Sequence, residues 1–171
     1  MKRPLDIQVP TTEGQLDQVR SLMRAFIAWH KERHREDLRL IESYFDAAAF
    51  EQELATLPGK YAPPTGQLLL ATRDGGPVGC VALRGIDATS CEMKRMFVDP
   101  TFHGQGVGHA LALSVIKAAR GLGFHSMRLD TSVRQDEAKA LYQRLGFQVI
   151  PPYYDLPDDL RGWLVFMELT L

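Results

Sequence analysis

The sequence predicts an α/β (α+β) protein in which one mixed sheet is flanked by helices. Three observations carry the prediction. Apolar residues switch between period 2 and period 3.6 along the chain, in the order β, α, α, β, β, β, α, β, α, β. The 171 residues suit one domain, residues 1–171, built on a single core. No internal repeat, low-complexity tract or linker divides them.

Residues 5–9 alternate apolar and polar and read as a first strand, closed by Pro10. Thr12, followed three residues later by Gln15, has the form of a capping box. Leu16, Val19, Met23, Phe26 and Ile27 then recur at helical spacing to about His30. The stretch HKERHREDLR alternates its charges and reads as a solvated helix end or loop. Asp46 is placed to cap a second helix with Phe50, Leu54 and Leu57 on its apolar face, stopped by Pro58 and Gly59. The period then changes. QLLLATR (67–73), the breaker DGGP (74–77) and VGCVALR (78–84) form a hairpin with a four-residue loop, and CEMKRMFV (91–98) is the next strand. Val107, Leu111, Val115 and Ala118 mark one face of a helix that GLG (121–123) ends. SMRLDTS (126–132) is a strand, and Ser132 with Gln135 again has capping-box form. Ala138, Leu141, Tyr142 and Leu145 line the helix that follows, with Gly146 as its stop. WLVFMEL (163–169) is the last strand, after the turn-rich PPYYDLPDDLRG.

Lysine and arginine total 20 against 21 acidic residues, a net charge of -1, so no overall basic field draws in nucleic acid or anionic lipid. A phosphate-bearing ligand has to be held locally. Apolar runs such as 68–71 and 110–116 fall far short of the ~20 residues of a membrane span. Lys2 and Arg3 have no apolar stretch behind them, so the start does not read as a secretory signal. Cys80 and Cys91 form no CxxC pair and read as small core residues of a reduced, cytoplasmic protein. His30 and His34 stand four apart, yet the HExxH order of a zinc helix is missing, and no metal is expected.

The functional question lies in VDPTFHGQGVGHAL (98–111). A strand stops at Pro100, Gly104, Gly106 and Gly108 follow at every second position, and a helix begins without a break. The first amides of a helix lack intrahelical partners, its dipole puts partial positive charge there, and glycines let a phosphate approach the backbone. A nucleoside triphosphate, a dinucleotide and the diphosphate of coenzyme A all suit such a turn. A triphosphate loop ends in Gly-Lys-Ser/Thr, where this chain has Gly108, His109 and Ala110. The dinucleotide reading has Asp130 in its favour, 22 residues beyond Gly108. Against it stand the spacing GxGxG, the DPTFH insert between strand and glycines, and too little remaining chain for a doubly wound sheet.

VDPTFHGQGVG resembles the acetyl-CoA loop of the GCN5-related N-acetyltransferases (GNAT), R/Q-x-x-G-x-G/A after a strand and V-x-P. Val98, Pro100, Gly106 and Gly108 stand in register, with His103 where Arg or Gln is usual. QDEAKALYQRLGF is similar to that family's N-x-x-A-x-x-L-Y-x-x-x-G-F, with Gln135 replacing Asn. The resemblance implies the GNAT fold, a mixed, mostly antiparallel central sheet whose strands 91–98 and 126–132 splay apart at the acetyl-CoA cleft. It implies an acetyl-CoA-dependent N-acetyltransferase that passes the acetyl group to a primary amine of a small molecule or peptide by direct attack.

On the same resemblance, the diphosphate rests on the backbone of His103, Gly104, Gln105, Gly106, Val107, Gly108 and His109. The pantetheine arm pairs with Met96, Phe97 and Val98, where a free amide polarises the thioester carbonyl. Gln135 and Tyr142 complete the acetyl-CoA contacts, and Tyr142 protonates the departing thiolate. Glu92, on the strand leading into the loop, is the candidate general base: an alkyl amine with a pKa near 10.4 is neutral in only about one molecule in 2,500 at pH 7. A bulge, common in the family at this strand, would reverse the facing of residues beyond it. Two further readings stay open: Trp29, Tyr44, Phe45 and PPYYD (151–155) wall the acceptor pocket or pack in the core, and Asp130 orders water or substrate or caps the next turn. Members of the family often form homodimers, and nothing in the sequence locates such an interface. A dinucleotide-binding module and a non-catalytic acyl-CoA-binding protein of the same fold are the alternatives.

Overall fold

Seven strands form one sheet in the computed structural model, which describes residues 4–171. The chain runs through β1 (Asp6–Gln8), α1 (Glu13–Arg33), α2 (Leu38–Tyr44), α3 (Ala47–Ala55), β2 (Gly66–Arg73), β3 (Gly76–Gly85) and β4 (Ser90–Val98). It continues with α4 (Val107–Gly121), β5 (Ser126–Ser132), α5 (Asp136–Arg144), β6 (Gln148–Ile150) and β7 (Leu164–Thr170). The strand order is β1-β2-β3-β4-β5-β7-β6, antiparallel at every pairing except β4 with β5. The mixed, mostly antiparallel sheet expected from the sequence is therefore present.

The sheet is apolar on both faces because helices cover both. Along β2 and β3, Leu68, Leu70, Cys80 and Ala82 pack with α1 to α3, while the alternate residues Leu69, Ala71, Val81 and Leu83 pack with α4. That is why QLLLA reads as an unbroken run rather than an alternating strand. Each leucine so buried contributes roughly 1.5–3 kcal/mol.

Local signals place the helix starts. The Thr12 side chain accepts from the Gln15 amide at 3.2 Å while the Gln15 side chain accepts from Thr12 N at 3.1 Å, the reciprocal box anticipated at α1. Asp46 caps α3 through the Ala49 amide at 2.8 Å. Three expectations are corrected. The hairpin turn holds two residues rather than four: Asp74 and Gly75 both take positive φ (50° and 78°), the pattern that matches strand twist. HKERHREDLR is not a solvated end. The helix α1 runs on to Arg33, and α2 follows with Ile41 fully buried. Asp37 lies in the interior, paired with Arg134 Nε at 2.8 Å and Trp163 Nε1 at 3.0 Å, so burial of that charge is compensated. Ser132 does not cap α5; it stays in the ladder opposite Leu164, and Gln135 occupies the cap position. The short strand β6 carries no alternation strong enough to be read.

Two features of β4 position the site. Its register against β3 steps from Cys80↔Phe97 to Ala82↔Lys94, a bulge in which Arg95 adopts φ 57°. Its pairing with β5 lasts only from Ser90↔Ser126 to Glu92↔Arg128, after which the two strands diverge.

Candidate active site

The divergence of β4 and β5 opens a cavity of about 380 Å³. Its walls are residues 93–98 of β4 and 129–132 of β5, its outer end is the glycine loop, and α1, α2 and α5 close the sides. On the cavity side, residues 93–98 have no strand partner, so their main-chain groups there are available to a ligand that carries amides.

At the outer end, Asp99 accepts from the Thr101 amide at 2.9 Å and its hydroxyl at 2.6 Å, ending β4 in a tight turn. Gly104 and Gly106 then take φ 71° and 82°, left-handed values that side-chain-bearing residues resist. The amides of residues 104–109 find no acceptor among the described residues, and helical bonding resumes only where the Ala110 amide reaches the Gly106 carbonyl at 3.0 Å. A row of unpaired amides at the positive end of the 15-residue helix α4 is an arrangement suited to an anion. The His103 ring donates from Nε2 to the Val98 carbonyl at 2.9 Å, so its side chain braces the turn from behind.

Tyr142 reaches the cavity from α5, its ring packed on Phe147 at 5.7 Å between centroids. Its hydroxyl has no hydrogen-bond partner among the described residues. Burial, reinforced by the charge of Asp130, pushes this phenol well above its ordinary range, so it holds its proton at neutral pH. Of the buried side-chain atoms without a partner among the described residues, two lie in the cavity wall: the Ser132 hydroxyl and Nδ1 of His30. Burial and the nearby charge of His34 hold the His30 pKa down at about 4, and its Nε2 lies 2.8 Å from the Gln135 amide nitrogen.

Where the strands part, a polar network fills the inner end. Glu92, 1% exposed, accepts from Tyr153 at 2.5 Å and Arg84 Nε at 2.9 Å. Asp130 accepts from Tyr44 at 2.5 Å and Tyr154 at 2.8 Å. Lys94 stands between the two carboxylates, donating to the Tyr44 hydroxyl at 3.2 Å with Glu92 and Asp130 at 3.8 and 3.9 Å. Arg95 forks onto Glu53 at 2.8 and 3.1 Å and lies over the rings of Phe45 and Phe50. Burial works to raise the Glu53 pKa, but the guanidinium of Arg95 and the ammonium of Lys60 outweigh it and hold the carboxyl at about 2.

The model of the acetyltransferase (GNAT) family matches residues 23–147. The chain belongs to that family. An uncharacterized N-acetyltransferase of Schizosaccharomyces pombe is 38% identical over 123 residues, 71% of this chain and 74% of that one. An IAA acetyltransferase of Azospirillum brasilense is 38% identical over 113 residues, 64% of this chain and 71% of that one. The PaiA N-acetyltransferase of Thermoplasma acidophilum, solved in complex with coenzyme A, shares the fold with a TM-score of 0.75 over 98% of this chain and 99% of that one, at 19% identity. The loop and α4 follow a strand of a largely antiparallel sheet, whereas the dinucleotide-binding alternative calls for a doubly wound parallel one.

Within this GNAT frame most of the residues singled out from sequence meet around one cavity. Met96, Phe97 and Val98 form one wall, and His103, Gly104, Gly106, Val107, Gly108 and His109 the outer end. Gln135 and Tyr142 face them. Gln105 is not in the lining; its side chain turns back to Arg73 and to the Thr101 carbonyl. Glu92 is not in the lining either, lying behind Lys94. Trp29, Tyr44 and Phe45 both pack and line, so the two open readings of these aromatics merge, while Tyr153 and Tyr154 serve the carboxylates instead. Sequence reasoning missed His30, Lys94 and Ser132 as cavity residues. Their partners lie on other elements, as the 105-residue separation of His30 and Gln135 illustrates, and no local spacing encodes that. Among the described residues no helix is long and apolar enough to cross a membrane.

Proposed function

We propose that this chain is one acetyl-CoA-dependent N-acetyltransferase domain that moves an acetyl group to a primary amine by direct attack. The observation that carries the reading is the row of unpaired amides at 104–109 opening onto a cavity whose wall holds the unpartnered hydroxyl of Tyr142. The amides, including that of Gln105, hold the diphosphate; the open edge of 96–98 pairs with the pantetheine arm. Ser132 and the His30–Gln135 pair supply polar partners along the way. A main-chain amide beside the bulge at Arg95 polarises the thioester carbonyl, stabilising the negative charge that develops as the amine attacks. As the carbon–sulfur bond breaks, the Tyr142 hydroxyl hands its proton to the leaving thiolate.

The amine must also lose a proton. Of the two carboxylates at the inner end, Asp130 lines the cavity and Glu92 stands behind Lys94, so we assign the direct contact to Asp130 and a supporting place to Glu92. Both cysteines are free and buried, which suits a reducing cytoplasmic setting.

Calorimetric titration separates the donor reading from its rival: saturable binding of acetyl-CoA and none of NAD(H) is expected. Thiol release on adding a panel of amines, amino acids and lysine peptides then tests transfer. Acetyl-CoA binding with no release from any acceptor would leave an acyl-CoA-binding protein in place of an enzyme.

A further inference from the structure

The inner end of the cavity is built for two charges of opposite sign. Lys94 and Asp130 each stand two residues beyond Glu92↔Arg128, the last position at which β4 and β5 pair with each other, and they face each other at 3.9 Å where the sheet splits. Both line the cavity. An ammonium carries three donors, and Lys94 places one, on Tyr44; its carboxylate neighbours at 3.8 and 3.9 Å are beyond hydrogen-bond reach. The Asp130 oxygens accept one tyrosine hydroxyl each, which leaves half of the roughly four acceptor sites of a carboxylate unfilled. The other charges nearby are already matched: Glu92 by Arg84 at 2.9 Å and Arg95 by the two-pronged contact with Glu53.

Resting on the acetyl-transfer reading of the cleft, we infer that the acceptor is an amino acid, whose carboxylate binds Lys94 and whose amine meets Asp130. Such a zwitterion adds no net charge and fills the open donors and acceptors together. A polyamine, or a lysine side chain within a peptide, brings a cation up to Lys94 and Arg95 with nothing for the free donors of Lys94 to bind. An amine of that kind leaves the open donors of Lys94 without an acceptor, the arrangement by which a polar site rejects a ligand that lacks its partner. The site is therefore selective for a carboxylate close to the nucleophile, and Tyr44, held between Lys94 and Asp130, fixes the distance between the two subsites.

The experiment compares matched acceptors at saturating acetyl-CoA: L-amino acids, their carboxamides and the amines lacking the carboxyl group, with lysine peptides and a polyamine alongside. The expected result is a kcat/KM for the best amino acid at least ~100-fold above its carboxamide and descarboxy amine. Lys94→Met shrinks that ratio to less than ~10-fold, mainly by raising KM for the amino acid, while Lys94→Arg keeps most of it. Calorimetry with acetyl-CoA checks that each variant retains a folded donor site. Amines or lysine peptides acetylated as fast as amino acids would overturn the inference, as would Lys94→Met slowing both members of a pair equally. Turnover confined to acceptors without a carboxylate refutes the acceptor assignment alone, whereas failure of the whole panel with acetyl-CoA still bound refutes transfer itself. Failure of acetyl-CoA itself to bind refutes the reading of the cleft beneath it.

Discussion

Tyr142 is held by its neighbours as a protonated phenol, the state that the proposed acid role needs. Burial and the charge of Asp130 raise its phenol, so the proton stays on oxygen through the physiological range and beyond. Tyr142→Phe keeps the ring against Phe147 and removes only the donor. We expect turnover to fall at least ~10-fold with acetyl-CoA affinity little changed, a split read from kcat against a directly measured Kd. His30 makes a different prediction, on stability. It faces His34, Asp37 and Arg33, and burial holds it neutral down to a pKa of about 4. Between that value and the unfolded imidazole's 6.5, the unfolded chain binds more protons than the folded one. Stability is therefore full above this window and falls as pH drops through it, by on the order of 2 kcal/mol from pH 7 to pH 5. A denaturant midpoint that moves down over that interval, and moves much less in His30→Gln, is the expected outcome; a flat profile in the parent would contradict it.

At the scale of elements, the glycine loop and α4 act as one device. Gly106 sits at φ 82° with nothing within 4 Å of where a Cβ would lie, so Gly106→Ala is resisted by backbone conformation rather than by a clash. The substitution should cost ~1–2 kcal/mol in stability. Relaxing that φ turns the amides of 104–109 away from a common point, and acetyl-CoA affinity should fall at least ~10-fold by calorimetry. The elements most legible in the sequence are those whose signals are local. Thr12 with Gln15, Asp46 before α3, and the glycines ahead of α4 each sit within one turn of what they organise. What stayed hidden depends on distant chain: α2 among the charges of 30–39, because Asp37 becomes a core residue only when Arg134 and Trp163 arrive from the other end of the protein. Ser132 misled for the same reason, since its strand pairing with Leu164 outcompetes a cap that local spacing favours.

For the whole molecule, the decisive feature is a seam. Helices cover both faces of the sheet, and the β4–β5 pairing lets go after Glu92↔Arg128, leaving one backbone edge of β4 unpaired in the middle of the protein. The glycine loop and the α5 motif were legible as parts of the cavity because each is a contiguous run of the chain. The inner end was not: Glu92 and Tyr153 are 61 residues apart and Tyr44 and Asp130 86. No periodicity links them, and only the folded sheet sets Lys94 between two carboxylates. The central claim is that this seam and its amides hold acetyl-CoA with the acyl group beside Tyr142. The most direct measurement is a crystal structure grown with acetyl-CoA in excess. The account predicts diphosphate oxygens within ~3 Å of amides in 104–109 and the thioester sulfur beside the Tyr142 hydroxyl. A loop left empty, or the carrier lying outside the β4–β5 seam, would contradict it.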